Sequence, residues 1–169
     1  MSVDEYIRMI ELKTSVLIAS CLQTGAVIAN ASDSDANHIY DFGKNIGIAF
    51  QLQDDLLDVY GDFEIFGKRI GNDIITNKKT FLLINAINLA DNNQKKELDY
   101  WLNLKDFNNE QKIKKITTLY NDLDIRPVTE DKINEFYSKA IKSLESIDVD
   151  ENKRAEIENF ANKLMKRSF

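Results

Sequence analysis

An all-α fold, an antiparallel helical bundle, is predicted by three observations. Apolar residues recur at helical spacing along almost all of the 169 residues. The β-branched residues fall inside those helical periods and do not alternate as strand residues would. The chain has one proline, Pro127, and all six glycines lie at or before Gly71, so few positions break a helix.

The elements follow in order. Apolar periodicity predicts a first helix from about Asp4 to Asn30, a loop through Ser32-Asp33-Ser34-Asp35, and a long second helix to about Tyr60, ended by Gly61. Asp62 to Asn77 contains Gly67 and Gly71, has no sustained period, and reads as a long ordered loop, a type of segment that is usually functional. Further helices are expected at about Lys78–Asp91, Asn93–Asn103, Asn109–Asp122, Glu130–Ile147 and Glu151–Lys166. Thr129 and Asp150 are the expected N-caps of the last two, with Glu130, Asp131 and Glu151 set against the positive end of the helix dipole. No internal repeat marks a solenoid.

Composition bounds what the chain can be. Hydrophobic residues make up 43% and charged residues 30%, the balance of one globular helical domain spanning 1–169. Helices up to about residue 90 are apolar on most faces and are expected to carry the chemistry; those from 91 onward are charged and peripheral. A net charge of -6 argues against a nucleic-acid partner. The single cysteine, Cys21, excludes an internal disulfide framework and is expected to be a small core residue. Asp4 and Glu5 stand where a signal peptide would be basic, and no apolar run reaches the ~20 residues that span a bilayer, so a cytoplasmic protein is expected. Val3-Asp4-Glu5-Tyr6 enters a helix directly, which suggests a piece of a longer protein.

One stretch sets carboxylates into an apolar helix. In Phe50-Gln51-Leu52-Gln53-Asp54-Asp55-Leu56-Leu57-Asp58, the residues Gln51, Asp54, Asp55 and Asp58 fall at i, i+3, i+4 and i+7 and share one helical face. Like charges at that spacing cost roughly 0.2–0.5 kcal/mol per pair, and burial costs far more unless a counter-charge is present. An oxygen-only set with no histidine or cysteine beside it favours Mg²⁺, which keeps several waters and shares its coordination with phosphate oxygens. Basic residues suited to such phosphates occur at Lys13 in the apolar first helix, at Lys68 and Arg69 in the glycine loop, and at Lys78 and Lys79. His38 has no ligand partners in the sequence, Trp101 with Leu98 and Leu102 reads as core, and Lys166-Arg167 as a fraying end.

Four ordered motifs carry a family resemblance: Tyr6-Ile7-Arg8-Met9-Ile10-Glu11-Leu12-Lys13-Thr14, the carboxylate stretch Phe50–Asp58, Gly67-Lys68-Arg69-Ile70-Gly71-Asn72-Asp73-Ile74, and Asn77-Lys78-Lys79-Thr80. Together they resemble the second half of a trans-isoprenyl diphosphate synthase, the farnesyl and geranylgeranyl diphosphate synthase family. The resemblance implies part of the isoprenoid-synthase fold, a helical bundle around a deep cavity with two aspartate-rich motifs facing across it. It implies a prenyltransferase of isoprenoid biosynthesis, in which an allylic diphosphate ionises with the help of Mg²⁺ and is attacked by isopentenyl diphosphate. Asp54 is implied as a direct metal ligand, with Asp55 and Asp58 binding or positioning metal waters. Lys13, Lys68 and Lys78 would hold the diphosphate, and Thr14 and Gln51 would lie over the reacting carbons. The full-length family form is expected to be a homodimer. Nothing in the chain resembles the family's first aspartate-rich motif, so this polypeptide is expected to be inactive alone. Two alternatives stand beside that reading. One is a non-catalytic helical partner subunit of a prenyl synthase; the other is a terpene cyclase fragment, for which Thr80 stands where an acidic ligand is required.

Overall fold

The computed structural model describes residues 1–61 and 70–165, and among these every regular element is helical. A first rod consists of α1 (Val3–Ile10), a π turn (Glu11–Ser15) and α2 (Val16–Ile28). Asn30, in the left-handed region at φ 58°, ends it: the Asn30 and Ala31 amides donate to Val27 and Ala26 carbonyls left free at the helix end. Next comes α3 (Asp33–Tyr60), 28 residues without a break.

The expected loop at Ser32–Asp35 is corrected here. The Ser32 hydroxyl accepts the Asp35 amide at 3.1 Å and donates to the Asp35 carboxylate at 2.7 Å, so a serine and an acid three residues apart start the helix instead of delaying it. Beyond it lie α4 (Asn72–Ile75), α5 (Phe81–Leu89), α6 (Asn92–Asn103), α7 (Asn109–Asp122), α8 (Ile125–Glu145) and α9 (Glu151–Met165). Asp91 and Gln94 form a reciprocal capping box at the start of α6. Asn108 caps α7, accepting the Gln111 amide at 3.0 Å.

Thr129 is not an N-cap. The helix starts four residues earlier, with Pro127 in its first turn, where a missing amide hydrogen costs nothing. Thr129 is fully buried inside α8, and its hydroxyl donates back to the Ile125 carbonyl at 2.7 Å. Cys21 also departs from expectation: it is exposed. The α2 sequence is apolar all round, so periodicity does not say which side is covered; Leu17 and Ile28, 69% and 77% exposed, share the open side with it.

The chain divides into two compact units interleaved in sequence. Among the described residues, one comprises 7–53 and 131–165, the other 1–6, 54–61 and 70–130. In the first, α3 packs against the rod through small residues. A methyl group added at Gly43 would lie 2.8 Å from the Ala19 Cα, and one at Gly47 would lie 2.9 Å from the Ser15 Cα. That spacing brings the two backbones together as only glycine allows. The core of this unit is built on Ile39, Phe42, Ile46, Ala140, Leu144 and Ala161. It also holds an apolar cavity of about 300 Å³ between Leu22, Phe42, Ile46, Phe50 and Phe160. In the second unit α7 contacts α4, α5 and α6. Its interior includes Leu56, Leu57, Phe81, Leu82, Leu98, Trp101, Ile116 and Leu119, each nearly or fully buried. Trp101 and Leu98 are core, as expected.

Candidate functional site

The carboxylates cluster where the last turns of α3 meet α4, within the second unit. Asp55 is buried, and Asp54 and Asp58 are half-buried. The Tyr6 hydroxyl, itself 1% exposed, donates to Asp55 Oδ2. Lys78 Nζ donates to Asp55 Oδ1 at 3.1 Å and to Asp73 Oδ2 at 2.7 Å. Asp58 Oδ2 accepts the Asp73 amide at 2.8 Å, and the Asp58 carbonyl accepts the Gly71 amide at 2.6 Å. These bonds tie the turn before α4 to α3. The turn needs Gly71: φ is 83°, and a side chain there would meet Ile113 at 2.6 Å.

The electrostatics follow from burial. Asp58 is pushed up to about 6 by loss of solvation, with the neighbouring Asp73 charge adding to the rise and the Asp73 amide opposing it. Burial also raises Asp55, against the pull of the Tyr6 hydroxyl and the Lys78 ammonium. Burial raises the Tyr6 phenol too, and the Asp55 charge beside it adds to the rise. Burial disfavours the Lys78 ammonium, but the hydrogen bond to Asp73 and the charge of Asp55 outweigh it and hold Lys78 above its ordinary value. Among the described residues, Lys78 is the one ammonium that pairs with this cluster of Asp54, Asp55, Asp58 and Asp73, reaching Asp55 and Asp73, and Asp55 and Asp58 are held above their ordinary titration range.

Among the described residues, no three histidine, cysteine or carboxylate side chains converge tightly enough to enclose a metal ion. The donor chemistry nonetheless fits one. Among the described residues its donors are all oxygens and its carboxylates outnumber the ammonium that pairs with them, as suits a cation that retains waters and completes its shell from phosphate.

The other sequence-derived residues lie elsewhere. Lys13, exposed, and Thr14, half-buried, sit in the π turn of the first unit, and Gln51, half-buried, sits one turn before Asp54 on α3. A π turn is rare and is found mostly at functional sites. Lys68 lies outside the described residues, as do Gly67, Arg69 and the Lys166-Arg167 pair. Sequence reasoning missed Tyr6 and Asp73 as members of the cluster. The signal for Tyr6 was its place one helical turn from Ile10 on an apolar face, where a buried phenol needs a partner.

Comparison with known proteins decides the family. A family model described as polyprenyl synthetase matches residues 1–120. The chain belongs to the polyprenyl synthetase family. A short chain isoprenyl diphosphate synthase of Methanocaldococcus jannaschii is 38% identical over 97 residues, covering 57% of this chain and 30% of its relative. A geranylgeranyl diphosphate synthase of Methanosarcina mazei is 44% identical over 83 residues, covering 49% of this chain and 26% of that protein.

Solved structures show that this polyprenyl synthetase chain has the all-α fold of those enzymes. It superposes on a geranylgeranyl pyrophosphate synthase with a TM-score of 0.91 and 37% identity, covering 100% of this chain and 53% of that one. A second, the geranylgeranyl pyrophosphate synthase of Corynebacterium glutamicum complexed with isoprenyl diphosphate and magnesium, gives a TM-score of 0.87 at 30% identity, covering 99% of this chain and 47% of that one. The chain thus spans about half the length of these two solved structures and under a third of the two curated relatives. None of its described helices is long and apolar enough to cross a membrane.

Proposed function

We propose that this chain supplies one carboxylate wall of a magnesium–diphosphate site in a prenyltransferase of isoprenoid biosynthesis. The observation that carries the reading is the Asp55–Lys78–Asp73 cluster beside Asp58, set at the end of an otherwise apolar stretch of α3. Its carboxylates are under-neutralised, and a divalent cation is the simplest remedy. The solved relative in complex with isoprenyl diphosphate and magnesium supports the choice of ion and ligand.

In this reading Asp54 binds Mg²⁺ directly, and Asp55 and Asp58 hold its waters. Bound Mg²⁺ neutralises the charge that develops on a departing diphosphate. Lys13, Lys68 and Lys78 bind the diphosphate oxygens as point charges placed before the reaction, so no reorganisation is needed as the charge appears. Thr14 and Gln51 lie over the reacting carbons of the allylic diphosphate and isopentenyl diphosphate, where a hydroxyl and an amide carbonyl stabilise positive charge or relay a proton. Apolar helix faces exclude water that would quench a carbocation. The Tyr6 hydroxyl keeps Asp55 oriented.

The chain by itself lacks catalytic competence, since it contains no second aspartate-rich motif to face this one. The full-length form acts as a cytoplasmic homodimer. A terpene cyclase reading is not favoured, because Thr80, buried and capping α5 through the Leu83 amide at 3.2 Å, stands where that reading requires an acidic ligand.

Calorimetry with inorganic pyrophosphate tests the site: binding should require Mg²⁺ and disappear in Asp54→Ala. Binding unaffected by that substitution would sink the assignment. Incubation with an allylic diphosphate, labelled isopentenyl diphosphate and Mg²⁺ should yield no prenyl product, and product above background would overturn the claim of inactivity.

A further inference from the structure

Lys112, on α7, is buried completely, yet among the described residues no carboxylate lies within ion-pair distance of it. A lysine ammonium in such a place needs other partners. It has three. Its Nζ donates to Asn77 Oδ1 at 2.7 Å, approaches the Ile75 carbonyl at 3.5 Å, and stands 4.2 Å from the centre of the Phe107 ring. The ring face attracts a cation, and the Ile75 carbonyl belongs to the end of α4, where a positive charge is favoured. Burial lowers the tendency of Lys112 to hold its proton, so these contacts work against desolvation.

The residue it grips is itself unusual. Asn77 is in the left-handed region at φ 52°, and its Nδ2 donates to the Leu102 carbonyl at 2.9 Å. One side chain thus accepts from α7 and donates to α6. The following residue is Lys78, whose amide donates to the Asp73 carbonyl at 2.9 Å and whose ammonium joins Asp55 to Asp73. The direction in which Lys78 leaves the backbone is set by the conformation of Asn77. Among the described residues, the Asn77 carboxamide oxygen accepts from Lys112 alone.

We infer that Lys112 is a positioning residue: by holding Asn77 in its left-handed turn, it fixes where Lys78 meets Asp55 and Asp73. A non-titrating apolar residue of the same length would fill the space without the grip. The inference deepens the proposed function and rests on that reading only for its link to diphosphate; the geometry of the turn stands by itself.

The experiment compares the wild-type chain with Lys112→Met, which keeps the stem and removes the ammonium, and with Asn77→Gly, which keeps the left-handed turn accessible at an exposed position and removes the acceptor. Native-state amide hydrogen exchange is followed at Asn77 and Lys78, with Leu119 and Tyr120 on α7 as internal references. Both variants should accelerate exchange at Asn77 and Lys78 about tenfold over the references, the scale of one lost charge-assisted hydrogen bond. Combined, they should accelerate it by less than the two effects added together, since the bond to Lys112 is lost in both while only Asn77→Gly also loses the bond to Leu102. Uniform acceleration across all four amides, or none at Lys78, would overturn the inference and leave Lys112 as ordinary core. If Lys112→Met does not fold, Lys112→Leu, which also removes only the ammonium's contacts, decides by the same two outcomes. Mg²⁺-dependent binding of inorganic pyrophosphate is measured in parallel and should weaken about tenfold in either variant. If the wild type binds no pyrophosphate while the exchange signature is present, the diphosphate reading fails and the positioning of Lys78 by Lys112 stands. If the wild type binds but neither variant weakens binding or loosens Lys78, the positioning role fails and the site reading stands.

Discussion

Removing the Lys78 ammonium isolates a buried carboxylate, and Lys78→Met does this while keeping most of the side-chain stem. Asp55 is 4% exposed and, among the described residues, would then keep the Tyr6 hydroxyl alone. Breaking a fully buried ion pair costs about 3–5 kcal/mol. Lys78, however, is 45% exposed, and Tyr6 still donates to Asp55, so roughly half of that is expected, ~2 kcal/mol at neutral pH. For a chain of this size that corresponds to a fall in Tm of about 4–8 °C. The loss must depend on pH in a particular direction. Burial already raises Asp55, and without Lys78 it rises further, so acid protonates the carboxylate and removes the isolated charge. The penalty is therefore largest above the folded-state value of Asp55 and shrinks as pH falls toward 3.8, the ordinary aspartate value. Urea denaturation of both proteins at pH 7 and near pH 4, with unchanged slopes, measures it. An equal loss at the two pH values, or no loss at pH 7, would refute the view that Lys78 neutralises a buried charge.

Two further outcomes are expected. Asp58 titrates at about 6 in the fold against 3.8 ordinarily, so its contribution to stability is present below 3.8 and lost as pH rises to about 6. Asp58→Asn should flatten that part of the stability–pH profile, and an unchanged slope would remove Asp58 as its source. Gly47→Ala should cost about 1–3 kcal/mol because the new methyl meets the Ser15 backbone at 2.9 Å, whereas Gly25→Ala, with nothing within 4 Å, should stabilise α2 by ~0.5–1 kcal/mol. Equal effects of the two substitutions in chemical denaturation would contradict the close packing of α3 on the rod.

What could be read from the sequence was whatever is local. The span of α7, Asn109–Asp122, was legible because Asn108 and the apolar period agree, and the end of α3 because Gly61 follows Tyr60. Errors arose where two local rules compete. Ser32 and Asp35 look like a loop when read as turn formers and like a helix start when read as a cap; Thr129 looks like a cap until Pro127 is admitted to the first turn. The acidic stripe was visible because its spacing is intrahelical. Its partners were not: Tyr6 lies 49 positions from Asp55, Lys78 23 from Asp55, and Lys112 35 from Asn77, and nothing in local pattern encodes such meetings. Lys78 was found for its charge, but its position between two carboxylates needed the fold.

The π turn at Glu11–Ser15 has a consequence for how this chain tolerates change. It is a one-residue lengthening of an otherwise α-helical rod, and each residue in a helix accounts for about 100° of rotation. Losing a single residue there would let the rod become regular while the segment before it kept its rotation relative to the segment after it, because the wide turn spreads about the same rotation over one more residue. Tyr6 and Ile10 would keep the faces that bury them, as would Ser15 and Ala19. Leu12 and Lys13 are exposed, and an exposed position is ordinarily where deletions are harmless. Here a one-residue deletion should be forgiven by the fold, whereas one elsewhere in the rod should not: the turn holds one residue more than the rotation of the rod requires.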